Sequence, residues 1–234
     1  MNNHSSPSGR AIARAALFDV DGTLVDNNDL HVEAWQRSFR HFGFAIGPER
    51  IRPQVGKGGD NLLPALIPEA SEADRKTIEQ WRSALFKSDY MERARPFPGV
   101  RELFERLIEE GVRIVLASSS SAEEVEFNIG LIGCEDLIHA WTSRDDVAHS
   151  KPCPDIFEVA LGKVSPLVAD EAIVIGDTPW DIEAAGRSGL RAIGFRSGGF
   201  DDSELAGACA LYDGPRDLLA SFDDSVFARH AATV

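Results

Sequence analysis

Short runs that are apolar at nearly every position recur along the chain, and each is followed by a stretch with helical periodicity. The clearest runs are 16–20, 112–117, 172–176 and 191–195, and weaker ones lie near 137–142 and 209–212. Continuous apolar runs of this length are typical of strands buried on both faces of a sheet. Their alternation with helical segments predicts an α/β fold, with a parallel sheet covered by helices.

The segment between the first two predicted strands is much longer than one crossover helix requires. Residues 27–92 contain four prolines and helix-like stretches at His31–His41 and Ser71–Met91. This pattern predicts a small all-helical domain inserted after the first strand. The predicted division is 14–26 and 93–234 for the core and 27–92 for the insert. The first dozen residues and the last several are expected to be frayed.

Charge and composition narrow the range of partners. The formal net charge of −14 repels nucleic-acid backbones and anionic lipid headgroups, so neither nucleic acid nor a membrane is an expected partner. No apolar run reaches the roughly 18–20 residues that span a bilayer, and the first ten residues lack the apolar stretch of a signal peptide. Three scattered cysteines favour a reducing compartment. We expect a cytoplasmic monomer or dimer.

Polar residues follow the predicted strands at the edge where open α/β sheets bind ligands. Carboxylates there, without a nearby histidine or cysteine, favour magnesium over zinc as the bound metal. Four segments carry these polar residues: Asp19-Val20-Asp21-Gly22-Thr23, Ser118-Ser119, Lys151-Pro152 and Gly176-Asp177-Thr178-Pro179-Trp180-Asp181.

Several of these residues also have a purely structural interpretation. Asp21-Gly22 is common in turns, although a turn does not explain Asp19 inside an apolar run. Thr178 to Asp181 is typical of a helix start, with an N-cap, a proline and an acidic residue near the helix dipole; that role is compatible with metal binding. Lys151 by itself is typical of a solvated surface.

The serines after the second strand have a similar alternative. Ser120 with Glu123, or Ser121 with Glu124, has the spacing of a capping box. Capping is therefore the preferred interpretation of the later serines. Ser118, the first residue after the strand, is left to donate a hydrogen bond to a phosphoryl oxygen.

Taken together, the motifs resemble those of the haloacid dehalogenase superfamily. They read Asp-x-Asp-Gly-Thr, a serine after the next strand, Lys-Pro-x-Pro-Asp and Gly-Asp-Thr-x-x-Asp, in that order. The resemblance covers 14–24 and 96–213, and the insert is similar to the small helical cap of the phosphoglycolate phosphatase and beta-phosphoglucomutase branch. It implies a Rossmann-like core and magnesium-dependent hydrolysis of a small organic phosphate monoester, either a sugar phosphate or phosphoglycolate.

The resemblance also implies roles for the two acids of the first motif. Asp19 becomes the nucleophile that forms an aspartyl-phosphate, and Asp21 becomes the general acid and base. Dehalogenases and the phosphonate-cleaving branch are not expected to keep an acid at the position of Asp21. The pattern therefore favours phosphatases and phosphomutases.

For the remaining motif residues, the resemblance implies binding roles. Ser118, Ser119 and Lys151 would contact the transferring phosphoryl group, and the lysine would offset charge that builds in the transition state. Magnesium would be held by Asp19, the main-chain carbonyl of Asp21 and Asp177, with Asp181 as a direct or indirect partner.

Within the insert, the glycine-rich segment 55–61 resembles the substrate-specificity loop of small caps. If that loop faces the site, Lys57 is the natural cation for a remote group of the substrate. A cap lysine also forms a Schiff base in the phosphonate-cleaving relatives, so that role stays open for Lys57. The alternative is a simple connection between helices with an N-cap at Asp60.

His31 and Trp35, one helical turn apart, match residues of hexose-phosphate mutases. The alternative is that Trp35 is a core residue and that His31 has ordinary hydrogen-bond partners at the hinge between insert and core. Mutases of this kind carry an arginine where Gly59 stands, so a phosphatase is preferred to a beta-phosphoglucomutase-like enzyme. A catalytically silent binding protein is a further alternative, disfavoured by the intact motif residues.

Overall fold

The computed structural model describes residues 13–228, and its centre is a six-stranded sheet. The tails that we expect to be frayed lie outside the described residues. The strands are β1 (Ala15–Phe18), β2 (Val25–Asp26), β3 (Arg95–Pro96), β4 (Arg113–Ala117), β5 (Ala140–Thr142), β6 (Ala172–Gly176), β7 (Arg191–Phe195) and β8 (Ala210–Tyr212). The helices are α1 (Asn28–His41), α2 (Pro48–Ile51), α3 (Gly59–Leu66), α4 (Glu72–Asp89), α5 (Val100–Glu109), α6 (Ala122–Ile132), α7 (Asp155–Gly162), α8 (Pro179–Arg187) and α9 (Pro215–Ala220).

The sheet follows the order β5-β4-β1-β6-β7-β8, and every neighbouring pair is parallel. The predicted α/β class is therefore confirmed. The chain adds strands on one side of β1 and then on the other. This reversal opens a crevice beyond the carboxyl ends of β4, β1 and β6, which is where such sheets bind ligands.

The first strand is shorter than the predicted run 16–20, because it ends at Phe18. Beyond it the chain turns back sharply: the amides of Leu24 and Val25 both donate to the carbonyl of Val20, at 2.8 and 3.0 Å. Gly22 has a φ of +79° in this turn, a conformation that residues with a side chain rarely adopt. Asp19 and Asp21 therefore follow the strand rather than continuing it.

Apolar side chains alternate between the two faces of the sheet, as the pleat requires. Phe18 of β1 packs on one face with residues of α5, α6 and α9. Leu17 packs on the other face with residues of α7 and α8. Both faces are thus covered, which explains why the strand sequences are apolar throughout.

Four helices, α1 to α4, lie between β2 and β3 and form the predicted helical insert after the first strand. The two short strands pair antiparallel, Val25 with Pro96 and Asp26 with Arg95. The two segments that connect the insert to the core therefore lie side by side. The insert has an apolar cluster of its own that includes Trp35. The division at residues 27 and 92 stays a prediction. Among residues 13–228, no helix is long and apolar enough to cross a bilayer.

Candidate active site

Side chains from three neighbouring strand ends meet in the crevice. Asp19 follows β1, Ser118 follows β4 and Asp177 follows β6. The loop before α7 brings Lys151 to the same place, where its ammonium contacts Asp19 and lies 2.7 Å from Oδ1 of Asp181. The structure therefore brings Asp19, Lys151, Asp177 and Asp181 into one cluster, while the side chain of Ser118 contacts Asp21.

Lys151 is 1% exposed, so the interpretation of an isolated surface lysine is wrong. Its ammonium also donates to the carbonyl of Ala117 at 3.2 Å. Burial lowers the pKa of Lys151, but the ion pairs with Asp181 and Asp19 outweigh burial and raise the pKa overall. The two ion pairs thus favour the charged form of the lysine at the centre of the cluster.

When ionised, the three carboxylates around this lysine carry more negative charge than it balances. Oxygen atoms of Asp19, Asp177 and Asp181 lie within 4.8 Å of one another, and all three residues are buried. Burial raises the pKa of Asp19 well above its ordinary value, and Lys151 offsets only part of that effect. Burial, together with the charge of Asp181, raises the pKa of Asp177 to about 7. An all-oxygen cluster with excess negative charge fits a hard divalent cation.

Asp177 is held in place by two donors. The hydroxyl of Thr23 donates to Oδ1 of Asp177 at 2.7 Å, and the amide of Asn28 donates to Oδ2 at 2.8 Å. A Cβ on Gly22 would lie 2.2 Å from both the Asn28 amide nitrogen and the Asp177 carboxylate, so only glycine fits there. Asn28 was not among the predicted site residues.

The Asp21 carboxylate lies beside this cluster and takes its hydrogen bonds from the insert, the segment after β4 and α6. Burial by itself raises the pKa of Asp21, but hydrogen bonds to its carboxylate, above all from His31, outweigh burial and lower the pKa below its ordinary value. The carboxylate is therefore held in its charged form by an array of donors. These donors are Asn27 at 2.5 Å, Ser120 at 2.7 Å, Ser118 at 3.2 Å, Asn128 at 3.2 Å and His31 at 3.3 Å.

The sequence left two roles open for the serines after β4, capping of α6 and hydrogen bonding at the site, and the structure assigns these roles to different residues. Ser121 is the N-cap of α6 and forms the capping box with Glu124. Ser120 instead donates to Asp21, so capping was the wrong interpretation for that residue. The hydroxyl of Ser119 has no hydrogen-bond partner among residues 13–228, and Ser119 lines a cavity beside Asp19 and Asp21. Thr178 caps α8 with Asp181, as predicted.

A cavity of about 270 Å³ lies between the insert and the core, with Asp19 and Asp21 in its wall. The glycine-rich loop 56–59 lines it from the insert side, together with His31 and Trp35. Lys57 also lines this cavity, but its ammonium lies 3.7 Å from the ring centre of Trp180 and donates to Gln54 at 2.8 Å. The loop therefore faces the site, while its lysine is engaged with a neighbouring ring.

Arg82 in α4 is a buried cation that the sequence interpretation missed. Its guanidinium contacts Nδ1 of His31 and lies 5.2 Å from the ring centre of Trp35. It also pairs with Glu124 of α6 at 3.7 Å. His31 and Trp35 thus both contact Arg82 at the junction of insert and core, and both line the cavity.

The sheet, the helical insert and the carboxylate-lysine cluster define a Rossmann-like hydrolase whose site lies beneath an inserted helical unit. The chain belongs to the haloacid dehalogenase-like hydrolase family, whose model matches residues 16–195. Within that family it is a hydrolase of the phosphatase kind, a class to which several of its relatives belong by name.

Similar proteins cover most of the chain. It is 30% identical to the probable phosphatase IndB of Dickeya dadantii over 92% of this chain and 93% of that protein. It is 26% identical to the phosphorylated carbohydrates phosphatase of Thermotoga maritima, over 88% and 96% respectively. The crystal structure of a hydrolase from Pseudomonas syringae superposes with a TM-score of 0.85 and 31% identity, covering 91% of this chain and 98% of that one.

Proposed function

We propose that the protein is a magnesium-dependent phosphatase that hydrolyses a small organic phosphate monoester through an aspartyl-phosphate on Asp19. The observation that carries the proposal is the position of Asp19. Its carboxylate contacts the buried Lys151 ammonium, lies within the acidic cluster and borders the cavity. A nucleophile beside a fixed cation is suited to attack on a phosphoryl group, because the cation offsets the charge carried by the transferring oxygens.

In the first half of the proposed reaction, a carboxylate oxygen of Asp19 forms a bond to phosphorus. The bond from phosphorus to the ester oxygen breaks, and that oxygen leaves as an alcohol after it takes a proton from Asp21. In the second half, Asp21 accepts a proton from the water that attacks the aspartyl-phosphate. This water displaces Asp19 and releases inorganic phosphate.

Asp21 must gain and lose a proton in this scheme, and the groups around it can form hydrogen bonds with both its ionised and its protonated form. Its donors stabilise the carboxylate, which is the form that removes a proton from water. Ser118 and Ser120 are hydroxyls that can reverse their hydrogen bonds and accept from a protonated Asp21. The hydroxyl groups can therefore follow the change in protonation without a change of backbone.

The remaining residues bind the transferring group in the proposal. Ser118, Ser119 and Lys151 contact the phosphoryl oxygens. The donor set that would hold Mg2+ consists of Asp19, Asp177 and the main-chain carbonyl of Asp21, with Asp181 as a direct or indirect partner. When bound, that cation would offset negative charge on the phosphoryl group.

The substrate we propose is a small phosphorylated metabolite of the sugar phosphate or phosphoglycolate type. The cavity volume of about 270 Å³ supports a compact leaving group. The name of the Thermotoga maritima relative, a phosphorylated carbohydrates phosphatase, supports the same class. Closure of the insert over this cavity would exclude bulk water from the aspartyl-phosphate.

A beta-phosphoglucomutase-like reaction is the second candidate, favoured by the presence of His31 and Trp35 at the cavity. Gly59 argues against it. A Cβ at that position would lie 2.3 Å from Oε1 of Glu79, a carboxylate that is paired with Arg144. An arginine there would have to displace this pair. The proximity of Asp19, Lys151 and Asp177 in one buried cluster supports catalysis over a silent binding role.

A panel of phosphate esters, assayed for inorganic phosphate with Mg2+ and with EDTA, tests the proposal. Turnover should depend on Mg2+, and Asp19→Asn should reduce it by about a thousandfold or more while leaving circular dichroism unchanged. Retained turnover in Asp19→Asn would defeat the assignment of the nucleophile. With a hexose 1-phosphate, formation of the 6-phosphate that requires a bisphosphate activator would favour the mutase instead.

A further inference from the structure

Two residues at the start of α3 bind the backbone of the loop that carries Lys151. Oδ2 of Asp60 accepts from the Ser150 amide at 3.0 Å, and the Asn61 side chain donates to the carbonyls of Ser150 and Lys151 at 2.9 and 3.2 Å. We propose that Asp60 and Asn61 are positioning residues, which fix Lys151 for phosphoryl transfer when the insert is docked on the core. This inference rests on the phosphatase function proposed above.

The start of α3 lies so close to the loop that carries Lys151 that position 58 requires a glycine. A Cβ on Gly58 would lie 2.0 Å from the hydroxyl of Ser150, which is itself 3% exposed. Gly58, rather than Asp60, is the N-cap of α3, so the predicted N-cap at Asp60 is wrong. The Asp60 carboxylate thus binds a backbone amide of the core instead of the first turn of its own helix.

Lys151 is consequently held at both ends by different parts of the molecule. Its ammonium is bound by the core through Asp19, Asp181 and the Ala117 carbonyl. Its backbone carbonyl is bound by the insert through Asn61. If only the ammonium were bound, the backbone at Lys151 could still shift and the side chain could adopt several conformations. Because the backbone carbonyl is bound as well, the side chain is preorganised.

These hydrogen bonds link docking of the insert to the position of the lysine. Among the described residues, the Ser150 amide donates to Asp60, a residue of the insert. The Ser150 carbonyl has a second partner within the core, the amide of Cys153 at 3.0 Å. When the insert moves away, the Ser150 amide loses its acceptor and the loop keeps only its local bonds. The lysine is then set correctly only beneath a docked insert.

The first test is the variant Asn61→Ala, measured by steady-state hydrolysis and by the affinity for orthovanadate with Mg2+. Loss of two hydrogen bonds that order the loop should lower kcat/KM by about 10- to 100-fold. Orthovanadate mimics the trigonal phosphoryl group, so its affinity should fall by a similar factor while Tm changes by only a few degrees. A fall in Tm with unchanged orthovanadate affinity would assign Asn61 a merely structural role and overturn the proposal.

A matched control is Lys87→Ala, which removes another contact between insert and core, the ion pair of Lys87 with Glu123. This exposed pair does not touch the Lys151 loop, so kcat/KM should change by less than about threefold. An equal loss in both variants would show that any loosening of the insert has this effect, and would count against a specific role for Asn61.

A double-mutant cycle tests whether Asn61 acts through the lysine. The cycle uses a Lys151→Ala background and follows orthovanadate affinity together with any residual turnover; there Asn61→Ala should cause little further loss of either. Additive losses would contradict the proposal. A wild-type protein without Mg2+-dependent phosphate release would instead overturn the proposed function, so the two failures are distinguishable.

Amide hydrogen exchange gives a readout that needs no turnover. Because coupling is reciprocal, ligand bound at Lys151 must stabilise docking of the insert if docking positions Lys151. Orthovanadate with Mg2+ should therefore slow exchange of the Ser150 amide, and Asp60→Ala should speed it. Unchanged exchange of this amide on addition of orthovanadate would refute the coupling.

Discussion

The guanidinium of Arg82 contacts Nδ1 of His31, while Nε2 of the same ring lies 3.3 Å from Oδ1 of Asp21. A guanidinium only donates, so a hydrogen bond between these groups requires Nδ1 to accept, and this assigns the ring proton to Nε2. His31 therefore donates to Asp21. Through this ring, a helix of the insert fixes the hydrogen bonding of the predicted general acid and base.

Arg82→Met should therefore affect both stability and turnover. It leaves Glu124, which is 4% exposed, without its cation, and an unpaired buried charge should lower the free energy of unfolding by about 3 kcal/mol. Turnover should fall by about tenfold or more, because His31 loses its fixed tautomer. Urea unfolding and phosphate release measure the two effects. In the double variant with Glu124→Gln, most of the stability should return but not the turnover; recovery of both would limit Arg82 to packing.

Metal affinity should depend on pH through Asp177, whose pKa is raised to about 7 by burial and by Asp181. A proton on Asp177 competes with the metal below that value, so Mg2+ affinity should fall by up to about tenfold per unit as the pH drops below 7. Titration calorimetry at pH 6, 7 and 8 measures this dependence. Affinity that does not vary with pH would exclude Asp177 as a ligand that must lose a proton.

The same pKa has a consequence for the metal-free protein. A carboxyl whose pKa is raised on folding contributes stability at low pH, and that contribution disappears as the pH rises through about 7. The Tm measured in EDTA should therefore decline between about pH 4 and pH 7. Mg2+ should restore it at pH 8 by binding the folded state. Asp177→Asn should remove the contribution of this residue to the decline.

Lys57→Met should lower kcat/KM for all esters by a similar factor of about two to five. The Lys57 ammonium lies over the ring of Trp180, whose Nε1 donates to the carbonyl of Pro53, so the pair joins the insert to the core. Trp180→Leu should give a loss of the same kind, and the two losses should not add. A loss confined to esters that carry a carboxylate would instead show that Lys57 binds the substrate.

Gly198→Ala should weaken metal binding by about tenfold or more. A Cβ there would lie 2.3 Å from the carbonyl oxygen of Asp177 and 2.4 Å from its carboxylate, so the backbone of the site must shift. Gly186→Ala in α8 is the matched control, since its Cβ would meet no described atom within 4 Å beyond the helix's own backbone. That control should gain up to about 1 kcal/mol of stability and keep its metal affinity.

The sequence predicted the positions of site residues that stand at the ends of recognisable strands, because the sheet topology brings those ends together. Asp19 lies near the end of the first apolar run and Asp177 follows another, and neighbouring parallel strands bring such ends to one edge of the sheet. Their proximity therefore follows once the strands are recognised. Lys151 gave no such signal by itself, because its burial depends on how the loop before α7 folds over the cluster.

Residues that join the insert to the core could not be predicted in this way. Arg82, Asn28 and Asn61 reach their partners only through the angle at which the helices dock, and that angle is not encoded in local periodicity. Ser120 and Ser121 are adjacent at the start of α6. Because their side chains are identical, the sequence does not indicate which of them is the N-cap.

The antiparallel pairing of Val25 with Pro96 and of Asp26 with Arg95 limits how the insert can move. Because the two segments that connect the insert to the core run side by side in one short ladder, we expect motion of the insert to be mainly a rotation about that ladder. The same geometry makes the insert a replaceable unit. A helical segment of different length or sequence, attached at these two points, would change one wall of the cavity without disturbing a strand of the central sheet.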